Sequence, residues 1–323
     1  MERPLRIAVT TGDADGIGTE VACKALRYLG PTRGVVFYLF RSSACPREHL
    51  RLLDKKFERV IARDWPQALK LGVTSGRKLV DIESSLPPAK WVEVVGQAAM
   101  FGHIDAIATG PLSKTSIYES GLQGLGHTDI LKALSNSAAV NMAFVGQHFN
   151  VLLATAHIPI HKVSKTLTID SLRLSFENAL RFRALLPKRI GSKPIAVLGL
   201  NPHSGENGLI GKEEADVLRP LLEEMNEKQS LFEGPLVPDA AFHKTNWNKY
   251  SCFLAMYHDQ GLIPFKSFHG HRSGVHVSVG LPFVRTSVDH GTAKDLFKKD
   301  KADYKSMLEA LNWAVALARK NEK

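Results

Sequence analysis

The 323-residue sequence predicts an α/β protein with a mixed, largely parallel sheet. Three observations carry this. Short apolar runs alternate with amphipathic stretches. The runs are nearly continuous rather than alternating, as expected of strands covered on both faces. Five of them end in unusual polar loops, the place where open α/β sheets bind ligands.

The elements follow in order. "LRIAV" and "VVFYLF" read as strands. Between them, "GTEVACKALRYLG" puts Val21, Ala25, Leu26 and Leu29 on one helical face and stops at Gly30-Pro31. "WVEVVGQAAMFG" reads as a helix and "IDAIAT" as a strand. In "AAVNMAFVGQHFNVLLATAH", apolar runs flank Gly146-Gln147-His148, which predicts an antiparallel hairpin. "TIDSLRLSFENALRFRALL" and "KEEADVLRPLLEEMNEK" are helices; "PIAVLGL" and "SCFLAMY" are strands. "VHVSVGLPFV" is one further strand, and "DYKSMLEALNWAVALARK" a long amphipathic helix.

Composition narrows the class. The length suffices for two domains. No apolar run nears the roughly 20 residues that span a bilayer, and "MERPLRIAV" lacks signal-peptide character, so a cytoplasmic protein is expected. Three cysteines without a CxxC pair predict idle thiols rather than disulfides or a thiolate zinc site. The +10 charge comes without a nucleic-acid motif. It suits anionic small molecules instead.

The polar loops are "TTGDADGIG", "TGPLSK", "AHIPIHK", "NPHSGENG" and "HDQG". The first is not a Rossmann or Walker loop, because Gly12, Gly16 and Gly18 have the wrong spacing and no Gly-Lys-Ser/Thr follows. It reads as a close-packed turn, and the role of Asp13 stays open. His157, His203 and His258 each sit near a strand end. Three imidazoles suit an open divalent-metal site, but thirteen histidines place some in loops by chance. In "GHTD", His127 and Thr128 precede a helical run; they either meet an anion at the helix start or leave Thr128 as a plain N-cap. "DHGTAKDL" reads as a turn opening a helix, with Thr292 as cap. Lys114, Lys266 and Arg285 are surface cations or anion ligands.

"GLNPHSGENG", "AMYHDQGL" and "GLPFVRTSVDHGTA", with "TGPLSK", "GHTD" and "TAHIPI", resemble the 4-hydroxythreonine-4-phosphate dehydrogenase (PdxA) family nearly end to end. The resemblance implies an isocitrate/isopropylmalate dehydrogenase-like fold of two α/β/α domains, with the active site in a cleft and shared within a homodimer. Residues 1–130 with 280–323 would form the first domain. Residues 131–279 would form the second, carrying most metal ligands and the dimer interface. It further implies NAD or NADP and one divalent metal (Zn, Mg or Co) on His157, His203 and His258. His127, Thr128, Lys266, His276 and Arg285 would bind substrate. Asp289, His290, Gly291, Thr292 and Ala293 would hold the cofactor's adenosine part.

The implied reaction oxidises 4-phosphooxy-L-threonine in vitamin B6 biosynthesis. Asp259 would orient His258, and Lys114 would be a base only if buried. Two departures bear on substrate. His276 stands where the family usually has asparagine, and the first loop carries Asp15 and Thr19 where alanine or proline is common. A dehydrogenase of 4-phosphothreonate or 4-phosphoerythronate is thus the alternative. A phosphate acyltransferase and a non-catalytic phosphate-metabolite binder are more distant ones.

Overall fold

The computed structural model describes residues 3–71, 76–122, 124, 126–270 and 274–321. The chain divides into two compact units, Met1–Ser137 with Leu281–Lys323, and Ala138–Gly280. Among the described residues, no helix is long and apolar enough to cross a membrane.

In the first unit, β1 (Leu5–Thr10), β2 (Val35–Ser42), β3 (Glu58–Ala62), β4 (Lys78–Ser84), β5 (Ala106–Thr109) and β12 (Val284–Ser287) run in the order β3-β4-β2-β1-β5-β12. Every pairing is parallel. The apolar runs explain this: β1, β2, β5 and β12 are buried over nearly their whole length, which requires helices on both faces. The helix Gly18–Leu29 buries Val21, Ala22, Ala25 and Leu26. It stops at Gly30, whose φ of 70° costs a glycine little. The helix Pro88–Met100 packs Trp91, Val92 and Val95 into a core with Val80, Ile82 and Ile107. The helix Lys305–Asn321 buries Met307, Leu311 and Ala314.

In the second unit, β6 (Asn141–Val145), β7 (Val151–Leu153), β8 (Ile195–Leu198), β9 (Phe232–Leu236), β10 (Phe253–Ala255) and β11 (Val275–Val279) run β11-β6-β7-β10-β8-β9. β6 is antiparallel to both β7 and β11, and the rest are parallel, so the sheet is mixed. The expected hairpin is β6–β7. Its core is aromatic, with Phe144, Phe149, Phe253 and Phe265. Burying each such ring stabilises by roughly 1.5–3 kcal/mol.

Three expectations change. "VHVSVGLPFV" is two strands, β11 and β12, because Gly280 turns the chain at φ 107° between them. "KEEADVLRPLLEEMNEK" opens with a wide π-helical turn, Glu214–Leu218, before the α-helix Arg219–Asn226. "HDQG" is the start of a helix, His258–His269, despite Gly261 and Pro264. Gly261 lies against Val151 and Leu153, where a Cβ would meet side-chain carbons at 2.7 and 2.8 Å. All three cysteines are free and buried.

Candidate active site

In the first unit, the loops after β1, β5 and β12 meet at the carboxyl ends of their strands. Gly110 N–H donates to Thr10 O at 2.6 Å, and a Cβ on Gly110 would lie 2.6 Å from Thr11 O. Gly12, at φ 75°, leaves no room for a Cβ against Pro111. These glycines bring the strand ends together. Asp13 has a structural use: it is 1% exposed, its carboxylate accepts from Ser113 N–H at 3.2 and 3.3 Å, and its own N–H donates to Pro111 O at 3.0 Å. Lys114 follows this contact but is exposed, so burial does not prepare it as a base.

Arg285 and His127 lie close enough for the charge of one to act on the other. Arg285 is 2% exposed, and its Nη2 donates to Thr109 Oγ1 at 2.7 Å. Burial pushes its pKa down to about 9, so the guanidinium remains cationic at neutral pH. Burial also holds His127 well below the ordinary imidazole value; the charge of Arg285 adds to this, and a hydrogen bond to the Gly110 backbone opposes it. His127 Nε2 is buried and without a partner. The Gly110 bond therefore falls to Nδ1–H, which leaves Nε2 as a lone-pair acceptor. His127 is the first residue of the helix His127–Ser135 and Gly126 is the N-cap. Thr128 thus sits one position inside the helix and does not cap it.

The Asp289–Ala293 turn leans on the first loop. Thr292 O accepts from Ile17 N–H at 3.0 Å, and a Cβ on Gly16 would lie 2.9 Å from that oxygen. Thr292 caps nothing: Ala293, left-handed at φ 41°, precedes only a short 3-10 turn, Lys294–Leu296. Asp289 N–H donates to Ser306 Oγ at 3.0 Å. His290 engages Gly291 O through Nδ1 at 3.0 Å, while its Nε2 is buried without a partner. No atom crowds Gly291. An unsatisfied ring nitrogen beside an open glycine fits a cofactor contact.

In the second unit, the rings of His157 and His258 stand 5.5 Å apart and line a pocket of about 340 Å³ with Tyr257 and Ile158. His258 opens its helix, and Asp259 Oδ1 holds its Nδ1 at 2.6 Å. That bond orients the ring and leaves Nε2 for a ligand. His203 is exposed and lies in a run of five left-handed residues, with φ of 51°, 51°, 80°, 43° and 56° from His203 to Asn207. Such a run costs roughly 1–2 kcal/mol for each non-glycine residue, so other contacts must hold it. Glu214, 2% exposed, provides them: Oε1 accepts from Leu200 N–H and Asn201 N–H, both at 2.7 Å, and Oε2 from Asn201 Nδ2 at 2.9 Å. Within one chain the three imidazoles do not close on a point. Among the described residues, the three ligand atoms found within 4.8 Å of one another belong to Glu20, His49 and Asp300.

Lys266 is partly buried on the helix His258–His269. His276 is 6% exposed on β11 and stacks on Phe144 at 5.3 Å, so packing already accounts for part of its role. Thr109 and Glu214 escape sequence reading. Thr109 is the small first residue of "TGPLSK", and Glu214 looks like one more acid on an amphipathic helix.

The chain matches the family model for the pyridoxal phosphate biosynthetic protein PdxA over residues 68–314. It is 35% identical to D-threonate 4-phosphate dehydrogenase of Pectobacterium atrosepticum, covering 97% of this chain and 99% of that one. It is 33% identical to 4-hydroxythreonine-4-phosphate dehydrogenase of a Sulfurihydrogenibium species, covering 98% and 99%. A crystal structure of 4-hydroxythreonine-4-phosphate dehydrogenase from Klebsiella pneumoniae superposes with a TM-score of 0.78 at 30% identity, covering 97% and 99%. The family model spans well over half of the chain and these relatives align end to end, so the protein belongs to the PdxA family.

Proposed function

We propose that this protein is an NAD(P)-dependent, divalent-metal-dependent dehydrogenase of 4-phosphooxy-L-threonine. It oxidises the secondary alcohol to give 2-amino-3-oxo-4-phosphooxybutanoate. That β-keto acid decarboxylates to 3-amino-2-oxopropyl phosphate on the route to pyridoxal phosphate. The observation that carries the reading is the pairing of a buried cationic Arg285 with a neutral His127. A desolvated guanidinium gains most from a bidentate anion such as a phosphate or carboxylate. Beside it, the Nε2 lone pair of His127 accepts from a substrate N–H or O–H, which a cationic imidazole would not do. Anion and donor together describe a phosphorylated hydroxy amino acid.

His157 and His258 would hold the metal, with His203 supplied by a second copy of the chain in a homodimer. Bound there, a divalent cation lowers the pKa of a coordinated hydroxyl, and a nicotinamide accepts hydride. The Asp259 contact occupies His258 Nδ1 and leaves Nε2 as the ligand atom. Asp289, His290, Gly291, Thr292 and Ala293 are the cofactor contacts, with His290 Nε2 offering the unsatisfied polar atom. Thr128, Lys266 and His276 complete the substrate set on the strength of the family resemblance.

A second reading has its own support: the family member at 35% identity named D-threonate 4-phosphate dehydrogenase, together with His276 in place of asparagine. The two substrates differ at C2, amino against hydroxyl. Comparing kcat/KM for nicotinamide reduction with 4-phosphooxy-L-threonine, 4-phospho-D-threonate and 4-phosphoerythronate decides between them. The highest value belongs to the amino substrate under the first reading. A preference for the hydroxy acids selects the second, and no reduction with any of them overturns both.

A further inference from the structure

A different cluster in the first unit has unmet valence. Glu20 and Lys24 lie on the helix Gly18–Leu29, His49 on the helix Arg47–Asp54, and Asp300 on the segment after the Asp289–Ala293 turn. Glu20 and His49 are each 3% exposed. Glu20 Oε1 is doubly used, accepting from Ala302 N–H and from Lys24 Nζ, both at 2.7 Å. Its other oxygen, Oε2, is buried with no partner, and so is His49 Nδ1. Asp300, held in a left-handed conformation at φ 54°, is the third member, with Oδ1 2.9 Å from Lys24 Nζ. One ligand atom from each of Glu20, His49 and Asp300 lies within 4.8 Å of the other two.

A buried carboxylate oxygen and a buried imidazole nitrogen without partners are costly. Something of positive charge or hydrogen-bonding capacity belongs between them. We propose that Glu20, His49 and Asp300 form a divalent-metal site of the zinc class, clipping the two helices to the segment that carries Asp300. One imidazole nitrogen and two carboxylate oxygens suit zinc, whose bonds to both are about 2.0–2.2 Å. Ligand atoms within 4.8 Å of one another reach that geometry by shifts of side-chain size. Lys24 stays on Glu20 Oε1 and Asp300 Oδ1 and leaves the second oxygens to the ion. Two carboxylates against one ammonium leave a net negative charge beside the imidazole, so a cation is favoured electrostatically. A cavity of about 610 Å³, lined by Lys24, Tyr28, Asp300 and Tyr304, borders the cluster on its Asp300 side.

The test counts zinc. The full chain, His49→Gln, Asp300→Ala and His203→Ala are equilibrated with buffered zinc, desalted, and assayed for metal per chain. Circular dichroism confirms folding, and the exposed Asp300 keeps the test valid if the buried His49→Gln variant unfolds. Expected is a deficit of about one equivalent in both His49→Gln and Asp300→Ala relative to the parent chain, with a smaller zinc-dependent rise in Tm. The His203→Ala arm reports separately on the imidazole site, so failure of either site is seen alone. Zinc content and zinc-dependent Tm equal to the parent in both variants would overturn the proposal and assign the gap to a trapped water or a shared proton.

Discussion

Arg285 and Thr109 sit on neighbouring parallel strands, and the guanidinium Nη2 donates to the threonine Oγ1 at 2.7 Å in a fully buried setting. The bond fixes the fork of a cation that the proposed chemistry needs for an anionic substrate. Replacing Arg285 by Lys keeps the charge and loses the bidentate geometry. A lost charge-assisted bond of about 1.5–3 kcal/mol corresponds to a ~10–100-fold fall in kcat/KM. Thr109→Val removes the orienting bond, along with a long 3.4 Å bond from Thr109 Oγ1 to Thr286 O, and lowers kcat/KM about 3–10-fold. Steady-state kinetics on both variants checks the ranking. Equal effects would mean that Thr109 does more than orient.

His127 gives the fold a pH dependence of known sign. Its pKa in the folded chain is below the unfolded value of about 6.5. Above that pH both states are neutral at this site. Below it, the unfolded chain takes a proton that the folded chain refuses, and stability falls by up to about 1.4 kcal/mol per pH unit. The loss continues until the folded pKa is reached. His127→Gln lacks this penalty, so its stability relative to the parent rises as pH drops from 7 to 5. Urea unfolding across that range measures it, and parallel curves would contradict it. Buried His269 shifts in the same direction and adds to the slope of both proteins alike.

Glu214 holds the turn that carries His203. Glu214→Ala leaves Leu200 N–H and Asn201 N–H without their acceptor. At ~1–3 kcal/mol for each unsatisfied part-buried donor, a loss of about 2–6 kcal/mol in unfolding free energy is expected. The left-handed run then relaxes, and metal content falls with it. Glu214→Gln retains one oxygen and loses less. A Glu214→Ala protein as stable as the parent would show that the turn is held elsewhere.

Sharing of the metal site is open to complementation. His203→Ala and His258→Ala are each inactive under the proposal. After mixing and reassociation, about half of the dimers are hybrids, each with one intact site, so about one quarter of the parent activity returns. If all three ligands came from one chain, no activity would return.

Much of this was legible because apolar runs dictate parallel strands and glycines mark where strand ends converge. β3, β4 and β9 were not: Glu58–Ala62 is largely solvated, Lys78–Ser84 is broken by the buried charge of Asp81, and Phe232–Leu236 contains Gly-Pro. The helix His258–His269 hid behind Gly261 and Pro264, since a glycine that exists for close packing on Val151 looks like a loop glycine in isolation. The site was legible as residue types and not as geometry. Nothing near His203 in the sequence announces a left-handed turn tied down by Glu214 eleven residues on. Nothing near His127 announces that burial and the charge of Arg285 will hold it neutral. The apparent caps Thr128 and Thr292 failed because Gly126 and Ala293 hold the cap positions.

The most direct measurement is the initial rate of nicotinamide reduction with 4-phosphooxy-L-threonine. It is taken on the metal-replete protein, after chelation, after metal is restored, and on Arg285→Gln. The account predicts a substrate-dependent rate that chelation abolishes and metal restores, and at least a tenfold lower kcat/KM without the Arg285 charge. No reduction by the replete protein, or a rate indifferent to both chelation and Arg285, would contradict it.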